Sequence, residues 1–286
     1  MIIENKLFFV LLFVINFNAY QSDIIEDKIV LSSAGGLASA RCYYYEHPEH
    51  GYACELSGAN IKDENENLNI GGTHRAGKTD DDVLYLNLQK STFEVLPTNI
   101  CEKFYRLTSI DMWSVGLKNI TEQSFSSCPN LERLGLGLNK LTKLPARAFK
   151  DLKFLRIMAI DGNPFEEIEK DAFEGLDNLI ILYMSYTKLK KITEHTFAPL
   201  IGIEFIQLFH NQIDTIDPKA FTSLTKLWYL NLEKSNLRKI GPDVFKPLIS
   251  LKQFINTDIF TCIKFLQCCQ FVENFQFNII DLVAFD

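Results

Sequence analysis

The sequence predicts a curved solenoid, an α/β-type horseshoe with a parallel sheet on its concave face and irregular or short helical turns on its convex face. The main evidence is a 24-residue frame that recurs eight times. The residues at 0, 3, 5, 10, 13, 18 and 21 places after each frame start are nearly all apolar. A fixed period of this length indicates repeat units that stack side by side. The frames begin at Val83, Leu107, Leu131, Leu155, Leu179, Ile203, Leu227 and Leu251.

Three features of the frame predict its local structure. Alternating apolar residues such as Leu134 and Leu136 are typical of a short strand, and the strands of successive coils should pair in parallel. A phenylalanine recurs at one position of six coils, so its rings should stack beneath the convex side. Asparagine follows the strand in three coils, where its amide can satisfy open backbone groups at the bend. The phenylalanines are Phe125, Phe149, Phe173, Phe197, Phe221 and Phe245, and the asparagines are Asn139, Asn163 and Asn211.

The segment from Leu131 to Leu144, LERLGLGLNKLTKL, matches LxxLxLxxNxLxxL. It resembles the typical class of extracellular leucine-rich-repeat proteins, which includes Toll-like receptor and Slit-type ectodomains, and the resemblance runs from Val83 to about Asp258. The motifs GYACELS, GGTH and DDDV further resemble secreted leucine-rich-repeat proteins of mosquitoes and related flies. These resemblances imply extracellular recognition, with innate immunity as one role.

The chain ends differ from the repeats. Residues 1–22 have nine successive apolar residues, Leu7 to Ile15, which are too few to cross a bilayer and are typical of a secretory signal peptide. We therefore expect a secreted, extracellular protein without a membrane span. Residues 23–82 are expected to form an N-terminal cap, residues 83–258 the repeats, and residues 259–286 a C-terminal capping segment.

Seven cysteines in an exported chain are first of all candidates for disulfide bonds. Cys42 and Cys54 should close a short loop that caps the first coil. Cys101 and Cys128 occupy inward positions on neighbouring coils, so they form either a bridge or two buried thiols. The resemblance implies a four-cysteine C-terminal cap, of which Cys262, Cys268 and Cys269 are an incomplete version. The odd cysteine is either unpaired or links two chains in a homo- or heterodimer.

Several functional classes are disfavoured. The net charge of −7 argues against nucleic acid as a partner, because a phosphate backbone requires a basic face. Residues Gly72 to Thr79 match the phosphate-loop pattern GxxxxGK[ST], but an acidic run follows where the pattern requires a helix. His47 and His50 lack further ligands for a metal. The frame brings together no catalytic constellation, so we expect no enzyme activity, metal or cofactor.

The concave face is the expected binding surface, formed by residues two, four and six places after each frame start. Its central coils present an apolar and aromatic patch beside Trp113 and Arg133, and such patches usually mark protein contacts. The patch consists of Ile157, Ile181, Tyr183, Phe205, Phe209 and Tyr229. Two readings compete with a bound protein ligand: the rings pack only on one another, or the face forms an adhesive homodimer.

Two further expectations concern the surface of the repeats. Gly135, Gly137 and Ala159 should leave a shallow hollow beside the aromatic patch, which could admit a protruding loop or a small apolar ligand. Asn119 begins the sequon Asn-Ile-Thr on the outer side of its coil, so it is either a glycosylation site or an unmodified surface asparagine.

Overall fold

The computed structural model describes residues 37–63, 66–97, 99–237, 240–241 and 243–256. All of these belong to one compact unit, Leu31–Asp286. The expected signal peptide, the C-terminal capping segment, and Cys262, Cys268 and Cys269 lie outside the described residues.

Within the described residues, eleven strands form one sheet and two short strands form another. The strands of the large sheet are β1 (Leu37–His47), β2 (Gly51–Ile61), β3 (Asn67–Gly71), β4 (Tyr85–Phe93), β5 (Ser109–Asp111), β6 (Arg133–Gly135), β7 (Ile157–Ala159), β8 (Ile181–Tyr183), β10 (Phe205–Gln207), β12 (Tyr229–Asn231) and β13 (Gln253–Ile255). Their order in the sheet is β13-β12-β10-β8-β7-β6-β5-β4-β2-β1-β3. The second sheet pairs β9 (Lys191–Ile192) with β11 (Thr215–Ile216), and the helices are a 3-10 turn (Asp80–Asp82) and α1 (Ile100–Lys103).

The predicted solenoid is confirmed by the register of the repeat strands. From β4 to β13 every pair is parallel, and each residue lies opposite the one 24 positions away: Phe205 pairs with Ile181 on one side and Tyr229 on the other. Leu182 and Ile206, which alternate with these residues, are fully buried. The period of the sequence therefore fixes both the pairing and the face on which each side chain lies.

The core of the solenoid contains the two expected ladders. The phenylalanine rings from Phe125 to Phe245 stack in sequence, with neighbouring centroids 5.7 to 6.4 Å apart. The buried Asn163 accepts a hydrogen bond from the backbone N–H of Leu141 and donates to the carbonyls of Leu136 and Ile160. Each ladder therefore joins one coil to the next.

The N-terminal segment, expected to be a short disulfide loop, instead extends the sheet. β1 and β2 form an antiparallel hairpin, β2 pairs in parallel with β4, and β3 adds a further strand beside β1. Cys42 and Cys54 are bonded across the hairpin, with their Cα atoms 5.3 Å apart. Cys101 and Cys128 are also bonded, with a Cα separation of 5.1 Å, and this bond ties the first coil to the second.

The concave face as candidate functional site

Two rings expected to project freely from the concave face are buried. Tyr183 and Phe205 are 5% and 2% exposed. Phe205 stacks on Tyr229, with centroids 4.1 Å apart, and lies 5.4 Å from Tyr183. Neighbouring strands are only about 4.8 Å apart, so large rings on adjacent coils cover one another. The expectation of free exposure is wrong for these two residues, whereas their participation in ligand binding stays a prediction.

An apolar strip nevertheless remains partly open on the side of the sheet where the repeat strands begin. Ile157, Ile181 and Tyr229 are half-buried. They are joined by two half-buried residues that lie one place after a frame start, Ile180 and Trp228. The Trp228 ring lies 6.1 Å from Phe205 and 5.8 Å from Tyr229. Ile157, Ile180, Ile181, Trp228 and Tyr229 together form the apolar strip.

Sequence reasoning missed Trp228 and Ile180 because it considered only alternate residues of each frame. A residue just before a short strand lies at the rim of the sheet, where its side chain need not follow the strand alternation. The available signal was their composition: a tryptophan and an isoleucine stand where other coils have Glu132, Arg156 and Glu204.

Phe209 lies apart from the strip, in a cluster on the opposite side of the concave face. Its ring meets Tyr186 edge to face at 5.3 Å, and Lys234 Nζ lies 4.9 Å above it. Tyr186 also stacks on His210 at 4.9 Å. The predicted continuous patch is therefore divided, because Gln207 and Asn231 occupy the intervening positions on their strands.

The hollow expected beside the glycines is filled. A Cβ atom placed on Gly137 would lie 2.1 Å from Cζ3 of Trp113, and one on Gly135 would lie 2.6 Å from its Nε1. The indole of Trp113 therefore lies flat against these two glycines. This position explains why both residues lack side chains, because the indole occupies the space where the hollow was expected.

Two carboxyl groups in the polar part of the concave face are shielded from water: Asp161 is buried and Asp111 is half-buried. Asp111 accepts hydrogen bonds from Gln89 Nε2 at 3.0 Å, from the Trp113 backbone at 3.3 Å and from Tyr85 Oη at 3.4 Å. Burial outweighs these bonds and raises the pKa of Asp111 to about 6.

Asp161 accepts a hydrogen bond from the Ser185 backbone N–H at 2.7 Å. Its burial raises the pKa to about 7, despite the hydrogen bonds that favour the charged form. Burial, and secondarily the nearby charge of Asp161, also raise the pKa of Tyr183.

A cluster of side chains lies where the N-terminal hairpin meets the repeats. Arg133 Nη1 donates to Nδ1 of His50 at 3.2 Å. The His50 ring lies 4.5 Å from His47 and 4.6 Å from Tyr85. The two histidines thus contact the first coil through Tyr85 and the third coil through Arg133, which is half-buried beside them.

The phosphate-loop pattern Gly72 to Thr79 is held by contacts unrelated to phosphate. His74 lies between Tyr52 Oη, at 3.2 Å, and an oxygen of Asp80, at 3.0 Å. Lys78, which would face a phosphate, lies 5.1 Å above the Tyr52 ring and 3.8 Å from Asp82. The strand β3 does precede the loop, but an acidic 3-10 turn follows it instead of a helix.

No group of three or more His, Cys, Asp or Glu side chains suited to a metal ion occurs among the described residues. In that same part of the chain, no helix has the length and apolar character needed to cross a membrane. Asn119 is exposed, and its glycosylation stays a prediction.

The 24-residue coils, the parallel sheet and the stacked asparagine and phenylalanine ladders define a leucine-rich-repeat solenoid. A family model described as leucine rich repeat matches residues 105–165, 153–213 and 206–255, which together span more than half of the 286-residue chain. The chain belongs to the leucine-rich repeat family.

The chain is also similar to individual members of this family. Leucine-rich repeat-containing protein 66 of Homo sapiens is 36% identical over 78 residues, which are 27% of this chain and 9% of that protein. Among solved structures, TLR13 in a complex with ssRNA13 is 26% identical with a TM-score of 0.50, covering 61% of this chain and 28% of TLR13. Toll in a complex with Spatzle, from Drosophila, is 18% identical with a TM-score of 0.51, covering 63% and 28%. The chain thus spans less than a third of each relative.

Proposed function

We propose that this chain is a secreted, non-enzymatic recognition protein that binds an extracellular protein ligand on the concave face of its repeats. The observation that carries the proposal is the apolar strip, which keeps Ile181, Trp228 and Tyr229 partly open to solvent. Partly exposed aromatic side chains grouped with aliphatic ones are typical anchors of protein interfaces. The two disulfide bonds fit an oxidising, extracellular compartment.

A protein suits this surface better than a nucleic acid. TLR13 binds RNA in the complex described above, but this chain has a net charge of −7, and its concave face carries the acids Asp111 and Asp161. A phosphate backbone would require several basic side chains in a row, and the strip offers an apolar surface instead. A role in innate immunity is the finer part of the proposal, and the identity of the ligand tests it.

The experiment is affinity capture from extracellular fluid, with mass identification, using matched variants as bait. Ile181→Glu places a charge in the strip, whereas Phe154→Glu places the same charge at an apolar residue outside the strip that is 60% exposed. We expect a protein that is retained by the wild type and by Phe154→Glu and lost with Ile181→Glu. Equal retention by all three baits would contradict the proposal.

The alternative function is adhesion, in which two copies of the chain associate through the same strip. Analytical ultracentrifugation of the wild type and Ile181→Glu across a range of concentrations separates the two. A dimer that Ile181→Glu dissociates would assign the strip to adhesion, whereas a wild-type monomer at all concentrations excludes it.

A further inference from the structure

Two side chains with N–H groups, Arg133 and His50, lie beside the N-terminal end of the apolar strip. Arg133 pairs across the sheet with Ile157, which in turn pairs with Ile181, so the guanidinium base and two aliphatic side chains form one row. No carboxylate pairs with Arg133 among the described residues; its polar contact there is the bond to His50. A half-buried cation in this environment can form an ion pair with an anionic group of a bound ligand.

The hydrogen bonds of the two histidines determine which ring nitrogen carries the proton in each neutral imidazole. A guanidinium only donates, so Nδ1 of His50 must accept from Arg133, and the proton of the neutral ring is on Nε2. His47 Nδ1 accepts from the backbone N–H groups of Glu49, at 3.1 Å, and His50, at 3.2 Å. Its neutral ring is therefore also protonated on Nε2. Within the described part of the chain, neither Nε2 atom meets a hydrogen-bond acceptor, so both remain available as donors.

We propose that Arg133 and His50 form a subsite for a carboxylate, and that the bound ligand carries this carboxylate next to an apolar side chain placed on Ile157 and Ile181. The inference rests on the proposed function and names the chemistry of the ligand at one end of the strip. Because adjacent strands are about 4.8 Å apart, the carboxylate and the apolar group lie within roughly 5 to 10 Å of each other. That spacing suits neighbouring groups of a single peptide: either an acidic side chain or a carboxyl terminus.

The subsite makes binding dependent on pH. Burial lowers the pKa of His50 to about 4, helped by the nearby His47 and Arg133 and opposed by Glu49. The remaining group packed on His50 is the Tyr85 ring on β4. When Arg133 donates to the bound carboxylate instead of to Nδ1 of His50, that nitrogen is free to take up a proton, and the negative charge beside it raises the pKa of His50. The affinity of the subsite for a carboxylate ligand should therefore rise as the pH falls from 7.5 to 5.5.

The test is an NMR titration of the histidine rings with small probes. N-acetylphenylalanine supplies a terminal carboxylate, N-acetylaspartyl-phenylalaninamide supplies a side-chain carboxylate, and N-acetylphenylalaninamide has neither. We expect a carboxylate probe to shift the His50 resonances, several-fold more tightly at pH 5.5 than at pH 7.5, and the amide to leave them unchanged. The probe that binds more tightly identifies the source of the carboxylate.

Variants separate this subsite from the rest of the strip. Arg133→Gln should abolish the shift, and His50→Gln should weaken binding and remove its pH dependence. The matched control is Arg156→Gln, an exposed arginine one coil further along, which should behave as the wild type. Near-UV circular dichroism checks that each variant is folded.

Two results would overturn the subsite: equal effects of the acid and amide probes, or binding unaffected by Arg133→Gln. The proposed function fails on a different result: in the capture experiment, the Ile181→Glu bait retains the same protein as the wild type. A captured ligand that depends on Ile181 but not on Arg133 would leave the proposed function intact and remove only the carboxylate subsite.

Discussion

Replacement of Asp161 by asparagine should stabilise the protein at neutral pH. The side chain is 6% exposed, and its burial raises the carboxyl pKa from 3.8 to about 7. An acid whose pKa is higher in the folded state makes ionisation costly: folding loses stability as the pH rises from about 4 to 7, and the loss is constant above that range. Asparagine has the same shape and keeps an oxygen for the Ser185 N–H, but it has no charge to bury.

The size of the effect follows from the shift of about three pKa units. At 1.36 kcal/mol per unit, the wild type loses on the order of 4 kcal/mol at pH 7.5 relative to pH 4 through this group. In a domain of about 200 residues, this corresponds to a difference in melting temperature on the order of 10 °C. Tyr183 belongs to the same environment, since the charge of Asp161 contributes to its raised pKa.

The assay is thermal unfolding between pH 4 and 8, followed by tryptophan fluorescence. Asp161→Asn and the wild type should unfold together near pH 4 and separate progressively up to pH 7, with the variant more stable. Asp177→Asn, a change of the same kind at an exposed residue, should follow the wild type throughout. Parallel curves for Asp161→Asn and the wild type would refute the reasoning, because they would mean that the carboxyl group is not charged at a cost in the folded state.

Four more predictions concern the scaffold. Gly137→Ala should displace the Trp113 indole, which a Cβ would meet at 2.1 Å, at a cost of about 1 to 3 kcal/mol that urea unfolding and tryptophan fluorescence would detect. Asn163→Ala should cost about 3 kcal/mol in the same assay, because it leaves buried backbone groups of two coils unpaired. Replacing Cys101 and Cys128 by serine should cost roughly 3 kcal/mol, since their bond closes a loop between residues 27 positions apart; an unchanged melting temperature would count against this estimate. Asn119→Gln should remove an enzymatically cleavable sugar and its mass from the secreted protein, whereas an unchanged mass would show Asn119 to be unmodified.

The sequence predicted the parts of the fold that depend on its period. The 24-residue spacing alone predicts that Arg133, Ile157 and Ile181 lie side by side, and the structure pairs them in this register. The same spacing predicted the phenylalanine stack, whose ring at Phe173 lies between those of Phe149 and Phe197. A repeat gives this information because each coil contacts only its neighbours, so position within the frame defines spatial position.

Side-chain conformation at the concave face was not predictable in this way. The frame identified Phe205 and Tyr183 as outward, but not that they would cover each other. It placed Trp113 beside two glycines, but not that the indole would fill their space. These outcomes depend on the sizes of neighbours in adjacent coils, which the apolar pattern does not specify. The N-terminal hairpin lies before the first frame, so the 24-residue period could not predict its position.

The two halves of the concave face differ in how they accommodate large aromatic rings. Around Trp113 the face fills itself: small residues at Gly135 and Gly137 allow the indole to lie flat. Further along, Phe205 takes a similar covering position, but Ile181 and Tyr229 beside it remain partly open. The proposed function places the ligand on the apolar strip, whereas near the first coils the half-buried indole of Trp113 occupies the space above the two glycines. Gly137→Ala should consequently disturb the polar half of the face without changing ligand capture by Ile181, provided that the variant is folded.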